Sequence, residues 1–358
     1  MAYLTSTVLS DLQPTGGLDE AREGNYGLID FAKASTEKVD YVDQNVISEL
    51  QQMSGARNAD LPVIKDNSVT VGTTPGFANI PINLQETATI AYTAYDVCTG
   101  MRLYPATFAN NAVAINNYVQ ANTKKLLKGA ATTAEGIIET VMEARKSTLL
   151  AGTTQVSQGA GTFTFDAGTD VLQINKAAQN DTMFSYLNSL MRANKLGGEY
   201  GIVNNPAGLA FNTVDAMKYQ MHQATYKEWD QAQLPLGLRF ESDSISAGSD
   251  VFQGWLARMG SIGLVNNFPY DFRNGTKTAN KEWSISNTEL PYIKMRANVF
   301  TNTEATDATS MVTSTDTNAI MTTFEEMFLW FRFYVLYPYN SDLSTRASDI
   351  VKITGLTT

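Results

Sequence analysis

Asn111–Leu150, NAVAINNYVQANTKKLLKGAATTAEGIIETVMEARKSTLL, decides how the rest of the chain is read. The stretch has no proline. Ile115, Val119, Leu126, Ala130, Ala134, Ile137, Val141 and Met142 recur at helical spacing and form one apolar stripe. A single helix of this length would measure roughly 60 Å and would call for a structural reason, such as service as a strut. Gly129 and Gly136 each cost up to about 1 kcal/mol against alanine. They leave open a bend, or two ordinary helices joined by a weak turn. Lys124, Lys125 and Lys128, with Arg145 and Lys146 further on, give the segment a basic face. That face reads as a solvated surface, or as one that meets nucleic acid or acidic groups on another subunit.

On the N-terminal side, residues 1–55 read as an extended arm with short helical pieces. KASTEKVDYVDQNVISELQQM predicts a helix opening after Ser35 or Thr36, with Glu37 suited to the electropositive start. From Asp60 to Met101, VTVGTTPGFANIPINLQETATIAYTAYDVCTGM is strand and turn, rich in β-branched residues and punctuated by Gly and Pro. A long hairpin against another surface and a buried strand explain it about equally well.

On the C-terminal side, the FTF of GTTQVSQGAGTFTFDAGTD is a short strand. QNDTMFSYLNSLMRANKLGG is a helix ending in glycine, with Arg192 and Lys195 in its last turns. GEYGIVNNPAG is a short strand entering a turn, and AFNTVDAMKYQMHQATYKEWD a further helix. From Leu234 strands dominate: LGLRFESDS, DVFQGWLARMGSIGLVNNF and WSISNTELPYIKMRANVF. TNTEATDATSMVTSTDTNAI is a Thr-rich loop or paired short strands. FEEMFLWFRFYVLYPY favours strand by its aromatic and β-branched content, and DIVKITG supplies a last strand. The order is α+β rather than a repeating βαβ pattern, with no repeat at solenoid periods.

Composition narrows the function. Of 358 residues, 43% are hydrophobic and 17% charged. The charged share is low against a usual quarter or so, and neutral polar groups fill the gap. Such a surface desolvates cheaply and suits extensive protein contacts. A net charge of −10 argues against a general nucleic-acid binder but not against a container whose wall repels the polymer. The single cysteine, Cys98, allows no intrachain disulfide and no cysteine-based zinc cluster, and reads as buried. No signal peptide is visible, and the apolar block near the end is too short to span a bilayer as a helix.

Catalytic chemistry is missing at the level of motif. His222 is the lone histidine, and neither a metal set with Lys227 nor a Cys98–His222 pair has support. No phosphate loop and no nucleophile elbow is present. Glu325–Glu326 and Glu20–Glu23 are ordinary acidic spacings. Asp243, Ser244, Asp250 and the Asp307–Asp316 loop offer oxygen ligands without a calcium-loop pattern. Trp229, Trp255, Trp283 and Trp330 read as core and interface packing. No catalytic, cofactor-binding or metal-binding residue is assigned, and no cofactor is expected.

The order of segments carries a resemblance. An arm, a β-rich loop, a very long helix, a mixed domain with SYLNSLMRANKLGGEYGIVNNPAG, then strands and FRFYVLYPYNSD resemble the major capsid protein of tailed double-stranded DNA bacteriophages, with the fold shared by phage and herpesvirus capsids. The resemblance covers nearly the whole chain, and no single motif carries it. It implies an N-terminal arm at 1–55, an extended β-hairpin loop at 56–105, and a peripheral domain with the spine helix at 106–233. An axial domain with connecting strands follows at 234–320, and a return to the peripheral domain at 321–358. GEYGIVNNPAG, ending at Asn205 and Pro206, resembles the family's strand-to-turn sequence. GSDVFQGWLARMGSIGLVNN resembles a segment near the capsomer centre.

What the resemblance implies is an icosahedral shell of hexamers and pentamers around double-stranded DNA, assembled in the host cytoplasm and carried in the virion. Partners would be further copies of the chain, a portal, possible decoration proteins and DNA on the inner face, with no membrane. The short chain before the β-rich loop implies a separate scaffolding protein or a removed prepiece, and the initial Met favours the former. Lysine–asparagine crosslinks between subunits are not carried over, because Lys65 has no matching acceptor. The alternatives are another virion component such as a tail-tube or minor shell protein, a secreted binding module, and an enzyme of rare fold.

Overall fold

The computed structural model describes residues 24–50, 58–64, 72–73, 87–108, 111–149, 163–179, 183–194, 196, 198–206, 238–267, 282–285, 293, 295–306, 320–339 and 349–357. Four α-helices are described: α1 (Gly27–Thr36), α2 (Gln44–Leu50), α3 (Ala112–Arg145) and α4 (Met183–Ala193). The strands are β1 (Asn58–Ile64), β2 (Thr87–Leu103), β3 (Phe163–Asp166), β4 (Val171–Ile174), β5 (Tyr200–Asn204) and β6 (Leu238–Glu241). They continue with β7 (Phe252–Arg258), β8 (Gly263–Asn267), β9 (Glu282–Ile285), β10 (Met295–Thr306), β11 (Ile320–Leu336) and β12 (Ile350–Gly355). The architecture is mixed α+β.

The long helix is one element. α3 runs 34 residues, about 51 Å at 1.5 Å per residue. Asn111 caps it, its side chain accepting from Val113 N at 3.1 Å and Ala114 N at 3.3 Å. Gly129 and Gly136 do not split it. A Cβ at either position would meet nothing within 4 Å, so both lie on the open side. The apolar stripe is also rotated slightly from the expected one. Leu127 and Ile138 are buried, whereas Leu126 and Ile137 only flank the core. The side chain of a helical residue leans toward the N-terminus, which shifts the covered patch by about one position.

Two six-stranded sheets receive the helix. In the first, the order is β1-β2-β11-β10-β9, and β8 also pairs with β11. β10 takes Ile320–Trp330 of β11 and β8 takes Arg332–Leu336, so β11 is the spine of that sheet. In the second, the order is β3-β4-β12-β7-β5-β6. β12 lies parallel to β4 and antiparallel to β7, so the chain's end is a central strand.

Period-two alternation then covers both faces of each sheet. In the second sheet Val203, Trp255, Ala257 and Ile350 face α3 and α1. Ile202, Leu256, Val351 and Ile353 face the opposite way, onto Met183, Leu187, Leu190 and Met191 of α4. In the first sheet Met327, Leu329, Phe331, Phe333 and Val335 join the α3 core. Tyr334, Leu336, Val265 and Tyr92 instead pack with Ile47 and Leu50 of α2 and with Ala59, Leu61 and Val63 of β1. Pro62, which cannot donate to a ladder, sits exposed on the edge strand β1.

The described part of the N-terminal segment, residues 24–50, packs into the core. Within the expected arm, Leu28, Ile29, Phe31 and Ala32 of α1 are completely buried. Ser35 and Thr36 close this helix rather than opening one. Their hydroxyls are used tertiarily: Ser35 Oγ accepts from Gly260 N at 2.7 Å, and Thr36 Oγ1 accepts from Leu264 N at 2.7 Å. Those bonds hold Gly260 within, and Leu264 just beyond, residues 259–262, the short link by which the chain leaves the second sheet at β7 and enters the first at β8. Gly260 has φ +95°, and a Cβ there would strike the Lys38 carbonyl.

The strand readings of FTF, LGLRFESDS, DVFQGWLARMGSIGLVNNF, FEEMFLWFRFYVLYPY and DIVKITG correspond to β3, β6, β7–β8, β11 and β12. The YIKMRANVF portion of WSISNTELPYIKMRANVF enters β10, and its start enters β9. The helix expected over AFNTVDAMKYQMHQATYKEWD, and His222 within it, lie outside the described residues.

Candidate functional site

Two glutamates make polar ties from α3 to its surroundings. Glu135 sits in mid-helix and is completely buried. One oxygen accepts from Ile29 N at 2.6 Å, in the first turn of α1. That turn has no side-chain cap of its own, so Glu135 supplies from α3 an acceptor that α1 lacks. The other oxygen meets the hydroxyls of Ser242 and, at 3.2 Å, Ser244, just past β6. One side chain thereby joins the long helix, the N-terminal helix and the end of a strand.

Burial pushes the Glu135 carboxyl up to about 7 from an ordinary 4.5. The bonds from Ser242, Ile29 and Ser244 pull it down, and nearby Asp30 adds to the rise. Both protonation states can be accommodated. The Ile29 N–H needs only an acceptor, which either form provides. The Ser242 and Ser244 hydroxyls lie 2.7 Å apart and can each turn to donate or accept.

Glu143 holds the C-terminal end. It accepts from Lys146 at 2.5 Å and from Lys352 of β12 at 2.8 Å. Burial works to raise its pKa, but the two lysine hydrogen bonds and charges together hold it below 4.5. Lys352 also lies 5.1 Å from the centroid of the Trp255 ring. Arg145 stacks 4.1 Å over Tyr337, and Ser147 N donates to Ile350 O at 2.6 Å. The helix end is therefore tied to both sheets.

Outward surfaces come next. Lys125 and Lys128 are exposed on α3, as are Val113 and Tyr118 near its start. A second surface is the outward strip of β2 and β11. Cross-strand register there pairs Glu326 with Arg102, Phe328 with Gly100, Trp330 with Cys98 and Arg332 with Asp96. Arg102 Nε donates to Glu326 at 2.7 Å, and Arg332 grips Asp96 through both Nε at 2.6 Å and Nη2 at 2.9 Å. Cys98 is exposed on this strip, against its expected burial. Strand alternation explains it: Val97 and Leu103 take the inward positions.

Other residues singled out in the sequence have local duties. Asp243 accepts from Asn25 N at 3.0 Å and from Asn25 Nδ2 at 3.1 Å. Asp250 accepts from Thr354 at 2.6 Å. With Ser244 on Glu135, these oxygens already serve protein donors and do not converge. Among the described residues no group of three His, Cys, Asp or Glu side chains is placed to hold a metal ion. No described helix is long and apolar enough to cross a membrane. Asn205 continues the β5–β7 ladder beyond the strand, since its N–H reaches Gln253 O at 3.1 Å and its side chain accepts from Gln253 N at 2.9 Å. Pro206 then ends the pairing. Trp255 is core, as expected, and Trp330 is half-buried on the strip. Glu135 is the residue that sequence reasoning missed. Its signal was position: it falls inside the buried stripe, between Ala134 and Ile138.

No family model matches the chain, and no curated protein matches it. Solved structures do. The capsid asymmetric unit of cyanophage A-1(L) is 10% identical, with a TM-score of 0.44, covering 96% of this chain and 96% of that one. A structure from Mycobacterium phage Adephagia is 12% identical, with a TM-score of 0.43 over 95% of this chain and 93% of the other. The capsid structure of cyanophage P-SCSP1u is 10% identical, with a TM-score of 0.41 over 98% and 95%.

Proposed function

We propose that this chain is a major capsid protein whose copies form hexamers and pentamers and close into an icosahedral shell around double-stranded DNA. The observation that carries the reading is the frame itself. One unbroken helix of 34 residues packs on two sheets, and two 17-residue strands, β2 and β11, run beside it. Such a frame is a strut with long ladders and tied ends, suited to bearing contacts along its length. Its work is assembly, not catalysis.

In this reading 1–55 supplies the arm, anchored through α1, and 56–105 the extended loop. The peripheral domain at 106–233 contains the spine helix, 234–320 forms the axial domain with its connecting strands, and 321–358 returns to the peripheral domain. The basic face at Lys125 and Lys128 would meet DNA or an acidic neighbour. A separate scaffolding protein, a portal and decoration proteins complete the set of partners, and assembly takes place in the host cytoplasm. Closed symmetry lets each modest contact count many times.

The test is expression with and without a candidate scaffolding protein, followed by electron microscopy. Closed shells, or six- and five-membered rings, are the expected result. A monomer that persists at high concentration under every assembly condition would overturn the proposal.

A further inference from the structure

We propose that the outward strip of β2 and β11 is a self-complementary contact on which a second copy of this chain packs face to face, related by a two-fold axis lying across the strands. The strip has an apolar centre. The Phe328 ring, 45% exposed, lies over Gly100, where a Cβ would meet Phe328 Cδ1 at 3.1 Å. Beside it Trp330 stands opposite Cys98. The two ends carry charge. Arg102 closes one end and Asp96 the other, both on β2. Each has a partner within its own sheet, yet 44% of the Arg102 side chain and 29% of the Asp96 side chain stay accessible. Each end is thus an ion pair, whose more exposed member is the cation Arg102 at one end and the anion Asp96 at the other.

That order selects the partner. A polyanion such as DNA would meet a carboxylate at both ends, Glu326 at one and Asp96 at the other. A second copy suits both ends. Stacked sheet faces lie about 10 Å apart. A half-turn about an axis through Thr99 lays β2 on β2 in the opposite direction. Arg102 of each copy then faces Asp96 of the other, and Phe328 of each meets Trp330 of the other. Each arginine sits between two carboxylates, in a network rather than an isolated pair. An aromatic centre inside a polar rim is the arrangement in which a few residues carry most of a contact. From Asp96 to Arg102 the strip is about 20 Å long. That is too small for the roughly 800 Å² per side of a stable pair. The contact is thus weak between free copies and effective where other contacts hold many copies together. It stands whether or not the assembly is a closed shell.

Cys98, the chain's one cysteine, serves as the probe. The axis brings the two Cys98 side chains close together. A short-spacer bismaleimide, applied to the assembled or concentrated protein at about pH 8, is expected to give a covalent dimer on a denaturing gel. Cys98→Ser should abolish it. Arg102→Glu alone and Asp96→Lys alone should each cut the yield about tenfold or more, because like charges then meet twice in every pair. Mixing the two variants should restore the yield, as mixed dimers only, since every opposed pair is again of opposite sign. A folding defect would not be repaired by mixing. Absence of the dimer, a crosslink to a different protein, or single variants that leave the yield unchanged or fail to recover on mixing would each overturn the contact. Shells that assemble normally without the dimer would overturn it and leave the shell reading standing.

Discussion

Glu135 and Glu143 lie on the same helix and have been driven in opposite directions. Glu135 is enclosed, its partners are neutral, and burial raises its carboxyl to about 7. Glu143 is partly open, two lysines flank it, and its carboxyl is held low. The first joins three elements as a group that changes its charge near neutral pH. The second joins two as a permanent anion. Enclosure by dipoles alone makes a carboxylate conditional, whereas a facing ammonium makes it constant.

Removing the enclosed side chain is the harshest way to break the comparison. Glu135→Ala leaves the Ile29 N–H and two hydroxyls without their acceptor and opens a cavity. Unfolding by urea is expected to show a loss of about 3–4 kcal/mol. Retaining the shape while removing the charge sharpens it. With a folded value near 7 and an ordinary value of 4.5, Glu135 contributes fully below about pH 4.5, and that contribution is lost as pH rises through 7. At roughly 1.4 kcal/mol per pH unit, the ceiling is about 3 kcal/mol. Glu135→Gln should flatten this slope and be the more stable protein above about pH 8, measured by unfolding midpoints across pH.

Smaller effects come from the neighbouring positions. Gly136 lies one residue on, but on the open side. Gly136→Ala should stabilise by up to about 1 kcal/mol, because the added methyl meets nothing and helix propensity improves. Glu143→Gln should cost about 0.5 kcal/mol, the usual scale for a pair this exposed. Its pH dependence runs the other way. Glu143 contributes above its ordinary 4.5, and the contribution is lost as pH falls through its lower folded value. Stability curves of the two glutamine variants, each subtracted from the parent, should therefore slope with opposite sign.

The same pair shows how much the sequence could reveal. α3, β11 and β12 were legible because periodicity and composition are local properties. The pairing of β11 with β2, or of β12 with β4, joins residues more than a hundred positions apart and leaves no local mark. Ser35 and Thr36 looked like helix-opening residues because capping chemistry was judged without the Gly260 and Leu264 amides they serve. Glu135 was passed over because a stripe is counted from apolar residues alone. Its neighbours at 131, 134, 138 and 142 marked the position as inward, and the Ile29 amide with the hydroxyls of Ser242 and Ser244 makes an acid tolerable there.

Residues 259–262 are also a load path. Four residues reach at most about 14 Å when drawn straight, so the leash between the two sheets is short. Tension that separates them is borne in part by the bonds from Gly260 and Leu264 to Ser35 and Thr36, alongside the ties that α3 makes to both sheets. Both acceptors belong to α1, a short helix in neither sheet. Part of any stress applied to the large ladders therefore reaches the last turn of α1.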